Sequence, residues 1–436
     1  MTLPWTGRSL HFVGACGAGM SGLALIAKAL GASVTGSDQA VAGPYGDRLR
    51  AAGIHPAEGH AAANVPAGAE VVFSTAVPAD NPERAAAATQ LHRAELLGEL
   101  TRIKPTIAVG GTHGKTTTSS MVVHALTACG LDPAYVVGGE VRSTGTNAAW
   151  GDGPFLVVEA DESDRSLLKL TPAIAVLTNA ELDHHETYGS LREVLDTFRA
   201  FMVPAAHAVV LDRPELLALR DGPVTPYDVH DAELTPGGSR FTVDGVQVDL
   251  TVPGAHNAVN AAGALLACRH AGADLAAAAA SLRAFTGAGR RFEPLGRTTG
   301  GAEVYDDYAH HPTEVAATLA AARTFGPRRL VAVFQPHLFS RTRAEAAGFG
   351  AALAAADLVV VTGIYPARER QEDFPGVTGR LVATAAADRG TGLTVAWLPA
   401  LDDAYAFLAP RLRGGDLCLT IGAGDVDGLG RRLVAG

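Results

Sequence analysis

The stretch GGTHGKTTT, Gly110 to Thr118, decides how the chain around it folds. The apolar run Thr106 to Val109 leads into it, and an apolar helical pattern from Met121 to Leu126 follows it. A strand, a glycine turn and a helix in this order direct the loop N–H groups and the helix N-terminus toward one point, where they favour an anion. Lys115 adds a positive charge at that point, and the Thr116 hydroxyl is a usual ligand of a phosphate-bound magnesium ion. The stretch therefore predicts a phosphate-binding loop.

The spacing differs from the common phosphate loop by one residue, because Val109 stands where the first glycine would fall. A glycine-rich turn capped by threonines is the alternative interpretation. Gly-Lys-Thr directly after a strand favours phosphate binding, since a bare turn has no need of it. The use of lysine supports the same interpretation, because a compact ammonium group suits a phosphate and the chain otherwise uses arginine. Its only lysines are Lys28, Lys104, Lys115 and Lys169.

A second glycine loop, GACGAGMSG, spans Gly14 to Gly22 and follows an apolar strand pattern. The next strand pattern, Ser33 to Gly36, ends at Ser37 and Asp38, and a further one ends at Ser74. Glycines at this spacing, with a carboxylate after the second strand, are typical of Rossmann units that bind a nucleotide diphosphate. The alternative is a tight turn with a purely structural role.

Acidic clusters follow two buried strand patterns in the middle third of the chain. The run Phe155 to Val158 is followed by EADESD, which begins at Glu159, and the run Ala173 to Thr178 is followed by NAELDHH, which contains His184. In open α/β sheets, ligands bind at the carboxyl ends of the strands. Two such clusters beside a phosphate loop favour magnesium ligation over simple solvation.

Polar residues also follow the strand patterns of the last third, which begins near Leu295. His310 follows one of them, and His337 and Arg341 follow the next. Before this region, the segment HNAVNAAGALLACRHAG predicts a buried helix that opens with polar residues. Asparagine at such a place acts as a helix cap or as a ligand, and the sequence leaves both readings open.

Composition excludes several classes of protein. With 436 residues the chain is too long for one core, and about three domains are expected. Hydrophobic residues make up 47% and charged residues 18%, as in ordinary globular enzymes, and a net charge of −10 argues against a general nucleic-acid binder. No apolar run approaches the roughly 20 residues of a membrane span, and the N-terminus lacks a signal-peptide pattern. The four scattered cysteines are expected to be reduced thiols in a cytoplasmic protein.

Taken together, the motifs resemble those of the ATP-dependent Mur ligases, over nearly the whole chain. They are HFVGACGAGMSGLA with GSD, GGTHGKTTT, VVEADESD, TNAELDHHETYGS, PGAHNAVNA, GRRFEPLG, DDYAHHPTEV, FQPHLFSRT, YPARE and GAGD. The resemblance implies an α/β protein of three domains. These are an N-terminal Rossmann-like domain (1–103), a central ATPase domain of the P-loop type (104–294) and a C-terminal Rossmann-like domain (295–436).

The resemblance also implies the residues of three sites. A UDP-sugar would bind at Gly14, Gly17, Gly19, Ser37, Asp38 and Ser74. ATP would bind at Gly111, Thr112, His113, Gly114, Lys115, Thr116, Thr117, His256, Asn257 and Asn260. Magnesium would be held by Thr116, Glu159 and His184, and the amino acid by His310, His337 and Arg341. Lys115, Arg290 and Arg291 would neutralise charge during catalysis, and His184 or His310 would assist deprotonation of the amine.

Within the family, the ADESDRS and DHHETYGS stretches are most similar to the branch that joins L-alanine to UDP-N-acetylmuramate for peptidoglycan synthesis. The implied partners are these small molecules, with no nucleic acid and no membrane span, for a monomer or weak homodimer. The nearest alternative is the recycling ligase that adds a tripeptide to the same sugar nucleotide. A nicotinamide-dependent dehydrogenase and a non-catalytic nucleotide-binding regulator are alternatives from other classes.

The sequence departs from several sister ligases in one respect. In those enzymes a carbamylated lysine, downstream of the position matching His184, helps to hold a second magnesium ion. The corresponding region, Leu191 to Val203, contains no lysine, and the matching place falls near Arg199. Arginine stays protonated and does not form a carbamate. We therefore expect magnesium to be held without a carbamate.

Overall fold

The structure is a computed structural model that describes residues 3–389 and 392–436. The chain forms two compact units. The first comprises the chain up to Asp228 together with Asn260–Ser281, and the second comprises Val229–Val259 and Leu282–Gly436. Within the described ranges, no helix combines the length and the apolar character that crossing a membrane requires.

The N-terminal part of the first unit contains a five-stranded parallel sheet with the order β3-β2-β1-β4-β5. Its strands are β1 Ser9–Val13, β2 Ser33–Asp38, β3 Ala57–Glu58, β4 Glu70–Phe73 and β5 Thr89–His92. Its helices are α1 Ala18–Ala29, α2 Pro44–Ala51, α3 Pro82–Ala86 and α4 Arg93–Ile103. The first connection, β1-α1-β2, carries the predicted glycine loop.

The same unit contains a second sheet, of seven strands, in the order β12-β11-β10-β6-β9-β7-β8. Its strands are β6 Thr106–Gly110, β7 Ala134–Val141, β8 Thr146–Ala149, β9 Leu156–Glu159, β10 Ile174–Leu177, β11 His207–Leu211 and β12 Val224–Tyr227. Its helices are α5 Lys115–Ala128, α6 Leu191–Met202 and α7 Pro214–Leu217. All strand pairs are parallel except the edge pair of β7 and β8.

Strand β6 lies at the centre of this sheet, between β9 and β10. The phosphate-loop stretch follows β6, and the two acidic clusters follow β9 and β10. Because the three strands are parallel neighbours, their carboxyl ends meet at one edge of the sheet, as the sequence predicts.

A small antiparallel sheet and two further helices follow. The small sheet contains β13 Glu233–Thr235, β14 Gly238–Val243 and β15 Val246–Leu250. The helices are α8 Ala255–His270 and α9 Leu275–Ser281. Helix α8 contributes residues to both units, since the division falls between Val259 and Asn260.

The rest of the second unit is a six-stranded sheet with the order β16-β17-β21-β18-β19-β20, in which only the β16-β17 pair is antiparallel. Its strands are β16 Glu293–Arg297, β17 Glu303–Asp307, β18 Arg329–Phe334, β19 Leu358–Val361, β20 Thr394–Trp397 and β21 Asp416–Ile421. Its helices are α10 Pro312–Arg323, α11 Phe339–Leu353, α12 Arg380–Ala387, α13 Leu401–Leu408 and α14 Val426–Ala435.

Strand β18 shows why this sheet is covered on both faces. Leu330, Ala332 and Phe334 join the core that α10, α11 and α12 complete. Val331 and Val333 point the other way, into the core formed with α13 and α14. A strand that is apolar at every position after its first residue contributes side chains to two cores, as in doubly wound parallel sheets.

Helices α11 and α12 pack closely at a glycine, and this contact gives a test of the fold. A Cβ added at Gly350 would lie 2.5 Å from the carbonyl carbon of Ala385, which is backbone and cannot turn aside. We expect Gly350→Ala to destabilise the second unit by about 1–3 kcal/mol. Gly428→Ala in α14 is the control, because a Cβ there meets no described atom within 4 Å. Thermal unfolding followed by circular dichroism should show a lower Tm for Gly350→Ala alone; equal Tm values would contradict this packing.

Candidate active site

The phosphate-loop stretch forms a tight turn between β6 and α5. Gly111 has φ +133° and Gly114 has φ +81°, conformations that side chains rarely adopt. Gly114 is the N-cap of α5, which begins at Lys115 and has no side-chain cap. The first N–H groups of α5 are therefore left to a ligand or to water, and the helix dipole favours an anion beside them.

The end of β10 holds the loop from behind. The Thr178 hydroxyl donates to the carbonyl of His113 at 2.6 Å, and the His113 N–H donates to Asn179 Oδ1 at 2.8 Å. The N–H of Glu181 donates to the Thr112 hydroxyl at 2.9 Å. These bonds fix the loop independently of any ligand.

Lys115 folds back under the loop. Its ammonium donates to the carbonyl of Gly111 at 2.7 Å and to that of Thr112 at 3.0 Å. It also lies 2.8 Å from a carboxylate oxygen of Glu162, a residue that is 1% exposed. Burial alone would lower the pKa of Lys115, but the carboxylates of Glu162 and Asp161 outweigh it and raise that pKa. The lysine therefore stays charged.

The predicted magnesium ligands lie at the same edge of the sheet. The Thr116 hydroxyl donates to Glu159 Oε2 at 2.9 Å, and the N–H of Gly138 donates to the same oxygen at 2.9 Å. His184 has φ +53°, and its Nε2 lies 3.5 Å from Glu162 Oε1. The buried Nδ1 of His184 has no hydrogen-bond partner among the described residues. The hydroxyl of Thr116 and the carboxylate of Glu159 are oxygen ligands of the kind that magnesium prefers.

The N-terminal glycine loop opens onto a cleft of about 810 Å³. Five of the six residues predicted to bind the UDP-sugar line it: Gly14, Gly17, Gly19, Asp38 and Ser74. Ser37, the sixth, is fully buried, and its hydroxyl donates to Glu83 and lies 2.9 Å from His60 Nδ1. Asp38 accepts from the N–H of Cys16 at 2.8 Å, so its carboxylate also shapes the glycine loop.

The cleft reaches the phosphate-loop region, because Glu159 and Asp161 are among its lining residues. Asp161 is paired with Arg93 of α4 at 3.0 Å, and Asp164 is paired with the same guanidinium at 3.2 Å. Burial would raise the pKa of Asp161, but Arg93 and then Lys115 outweigh it and lower that pKa to about 2. The predicted sugar-nucleotide site and the predicted magnesium site thus meet at Glu159 and Asp161.

The three residues of α8 that were predicted to bind ATP have different surroundings. Asn260 packs on the phosphate loop, since a Cβ on Gly114 would lie 2.6 Å from Asn260 Oδ1. Asn257 is buried in the second unit and donates from its side chain to the carbonyl of Pro253 at 2.7 Å. His256 lies beside Gly254 in the same unit. Of these three residues, Asn260 is the one that belongs to the same unit as the phosphate-loop stretch.

The second unit brings the three residues of the predicted amino-acid site together. The rings of His310 and His337 are 5.9 Å apart, and Arg341 Nη1 lies 3.2 Å from His337 Nδ1. Arg341 is 4% exposed. Tyr365 stacks on His337 with a centroid distance of 6.0 Å. Two imidazoles, a buried guanidinium and a phenol ring therefore lie together, and a guanidinium is a suitable partner for a carboxylate.

The adjacent arginines Arg290 and Arg291 differ in the contacts that their guanidinium groups make. Arg290 donates to Asp306 at 2.9 Å and to the carbonyls of Gly422 and Gly424 at 2.8 and 2.9 Å, so its guanidinium is occupied within the fold. Arg291 has a longer contact, 3.9 Å, to Glu314. Of the pair, Arg291 is the better candidate for a phosphate-side cation.

Comparisons with known proteins agree with this architecture. Residues 9–104 match the model of the Mur ligase family catalytic domain, residues 109–268 the Mur ligase middle domain, and residues 290–424 the Mur ligase glutamate ligase domain. The UDP-N-acetylmuramate–L-alanine ligase of Halorhodospira halophila is 43% identical over 100% of this chain and 96% of its own length. The chain belongs to the Mur ligase family. The resemblance seen in its motifs is thereby confirmed.

Two further relatives show how far this likeness extends. The UDP-N-acetylmuramate–L-alanine ligase of Streptomyces griseus is 44% identical over 97% of this chain and 96% of its own length. The crystal structure of the UDP-N-acetylmuramate–alanine ligase of Thermotoga maritima has 29% sequence identity, covers 98% of both chains and superposes with a TM-score of 0.84. The predicted α/β fold of the Mur ligases is therefore confirmed for this chain.

Several residues at the site of this Mur ligase were not predicted from the sequence as individual site residues. Glu162, which pairs with Lys115, and Asn179, which holds the phosphate loop, were predicted only as members of the two strand-end clusters. Arg93, which lines the cleft, was not predicted. The position of Arg93 at the start of a helix gives no signal, because its partners are about 70 residues further along the chain.

Gly111 offers a test of the loop geometry. A Cβ at this position would lie 2.0 Å from Thr178 Oγ1, and the φ of +133° is unfavourable for alanine. We expect Gly111→Ala to displace the carbonyl that holds Lys115 and to lower ligase turnover by at least about a hundredfold. The control is Gly145→Ala, at φ +70° in the β7-β8 turn, where the described structure leaves open space around a Cβ. It should cost about 1–2 kcal/mol of stability and leave turnover unchanged. Normal turnover of Gly111→Ala would contradict this account of the loop.

Proposed function

We propose that this chain joins L-alanine to the lactyl carboxylate of UDP-N-acetylmuramate at the expense of ATP. One observation carries the proposal: the sugar-nucleotide cleft and the phosphate loop share an edge. Glu159 lines the cleft and also accepts a hydrogen bond from Thr116, the residue after Lys115. A substrate carboxylate in the cleft and a nucleotide on the loop would then react side by side. The names of the relatives at 43% and 44% identity support the choice of substrates.

The residue types suit activation of a carboxylate. A carboxylate is a poor acyl donor, so the γ-phosphoryl group of ATP is first transferred to it, which gives an acyl phosphate and ADP. The amine of L-alanine then attacks the acyl carbon, and phosphate leaves. Catalysis of both steps is mainly positioning and charge neutralisation by Lys115 and Arg291. His184 and His310 are the candidates for assisting loss of the amine proton.

Magnesium would be held by Thr116 and Glu159 with His184 nearby, and would neutralise phosphate charge when bound. No carbamylated lysine is expected beside it. Arg199 lies on the exposed face of α6. Lys169 has a 59% exposed side chain and faces Glu95 at 4.0 Å. Lys115 is the lysine bound at the phosphate loop, and its ammonium is already occupied by Glu162.

The remaining assignments follow the same reasoning. L-Alanine would bind in the second unit, with its carboxylate on Arg341 and with His310 and His337 beside it. Gly14, Gly17, Gly19, Asp38 and Ser74 would contact the sugar nucleotide, with Ser37 supporting them from behind. We propose a cytoplasmic enzyme of peptidoglycan synthesis, monomeric or weakly dimeric, with domains at 1–103, 104–294 and 295–436. Its partners would be these small molecules and no nucleic acid.

The deciding assay is ADP formation measured with each substrate omitted in turn. We expect turnover only when UDP-N-acetylmuramate and L-alanine are both present with ATP. A preference for the tripeptide over L-alanine would assign the chain to the recycling reaction. ATP turnover independent of both substrates, or none under any condition, would overturn the proposal.

Lys115 is the first residue to test. Its removal leaves the buried carboxylate of Glu162 without its partner, which by itself is destabilising. We therefore compare Lys115→Met with the double variant Lys115→Met/Glu162→Gln, which removes both charges. Both should lose turnover by at least about a hundredfold, and the double variant should recover stability. The affinity for UDP-N-acetylmuramate, measured by calorimetry, reports whether the fold is intact. Near-normal turnover of either folded variant would disprove the role of Lys115.

The second test concerns bicarbonate. Because no lysine is placed to form a carbamate, we expect ligase activity to be the same in buffer stripped of carbon dioxide and after bicarbonate is restored. Steady-state ADP formation under the two conditions is the measurement. A sister ligase that depends on the carbamate, treated in parallel, shows that the stripping was effective. Lost activity that returns with bicarbonate would show that the metal site is wrongly described.

A further inference from the structure

The sugar-nucleotide cleft is poor in positive charge. Among the described residues that line it, Arg93 is the only arginine or lysine, while Asp38, Glu159 and Asp161 contribute carboxylates. The proposed ligand is itself an anion, because UDP-N-acetylmuramate carries a diphosphate and a lactyl carboxylate. The N-terminus of α1 offers a partial positive charge at one place. Among the described lining residues, Arg93 is the one that carries a full positive charge, and it shares this charge with Asp161 and Asp164.

Arg93 is positioned from two sides. It is the first residue of α4, and its Nη1 lies 3.8 Å from the place that a Cβ on Gly19 would occupy, in the first turn of α1. On the other side, its Nη2 donates to Asp161 at 3.0 Å and to Asp164 at 3.2 Å. The guanidinium thus spans the distance between the glycine loop and the acidic end of β9.

The two ion pairs hold the side chain in a defined orientation. Both recorded hydrogen bonds use Nη2, and Nη1 is directed toward the first turn of α1. A planar guanidinium held in this way is pre-organised for an anion, since little rotamer entropy is lost when the ligand binds.

We propose that Arg93 binds an anionic group of the sugar nucleotide, either the diphosphate or the lactyl carboxylate. The inference rests on the proposed function, because the ligand is the substrate named there. The location of Arg93 indicates that the bound anionic group lies at the boundary between the N-terminus of α1 and the phosphate-loop region. Arg93 would then position the lactyl arm toward Lys115.

The experiment measures the binding of three probes by isothermal titration calorimetry to the full chain and to Arg93→Gln. The probes are UDP, UDP-N-acetylglucosamine, which lacks the lactyl group, and UDP-N-acetylmuramate. We expect Arg93→Gln to bind UDP-N-acetylmuramate about tenfold to a hundredfold more weakly than the unchanged protein. An equal loss for all three probes assigns Arg93 to the diphosphate, and a loss confined to UDP-N-acetylmuramate assigns it to the lactyl carboxylate.

The control is Arg102→Gln, an exposed arginine on the same helix, which should bind all probes normally. The salt dependence of binding separates a contact with the ligand from a purely structural role. If Arg93 contacts the ligand, the affinity should fall less steeply with ionic strength in Arg93→Gln than in the unchanged protein. If its role is structural, the two slopes should be equal. Arg93→Lys, which keeps the charge, should recover part of the affinity and serves if Arg93→Gln is unstable. Unchanged affinity of the folded variants for every probe overturns the inference alone. Failure of the unchanged protein to bind any probe overturns the proposed function as well.

Discussion

The active-site edge of the first unit depends on the buried ion pair between Lys115 and Glu162. A carboxylate that is 1% exposed is costly without a partner, and the lysine ammonium, 2.8 Å away, supplies one. The same ammonium donates hydrogen bonds to the carbonyls of Gly111 and Thr112, which fix its position. The charge of Lys115 therefore links the phosphate loop, helix α5 and the segment that follows β9. A nucleotide phosphate that binds the loop has to compete with these partners for Lys115.

Glycine makes this arrangement possible. Thr178 approaches the loop so closely that Gly111 has no room for a Cβ, and Asn260 does the same at Gly114. The close approach lets the end of β10 hydrogen-bond the loop backbone, so the loop is shaped before any ligand arrives. Such pre-organisation lowers the entropy that binding a phosphate would otherwise cost.

Some residues of the family motifs also hold the scaffold together. Asp38 accepts from the backbone of its own glycine loop, and Ser37 lies behind the cleft on Glu83. Arg290 is enclosed by Asp306 and two carbonyls of the second unit, which leaves Arg291 as the cation available at that place. A motif thus marks where a site is built, and the contacts of each member show which residues face the substrate.

The alternation of strands and helices, the two glycine loops and the polar strand ends could be predicted from the sequence, because each depends on residues that are close along the chain. The strand patterns of β6, β9 and β10 end within one residue of those in the structure. The β7-β8 hairpin was not predicted, since β7 is interrupted by two glycines and β8 has only the four residues TNAA, so neither strand shows a clear alternation. Only the tertiary structure decided that Glu162 pairs with Lys115 and that Arg93 reaches Asp161. Those contacts join residues 47 and 68 positions apart, and no local pattern specifies which charges meet when sheets and helices pack.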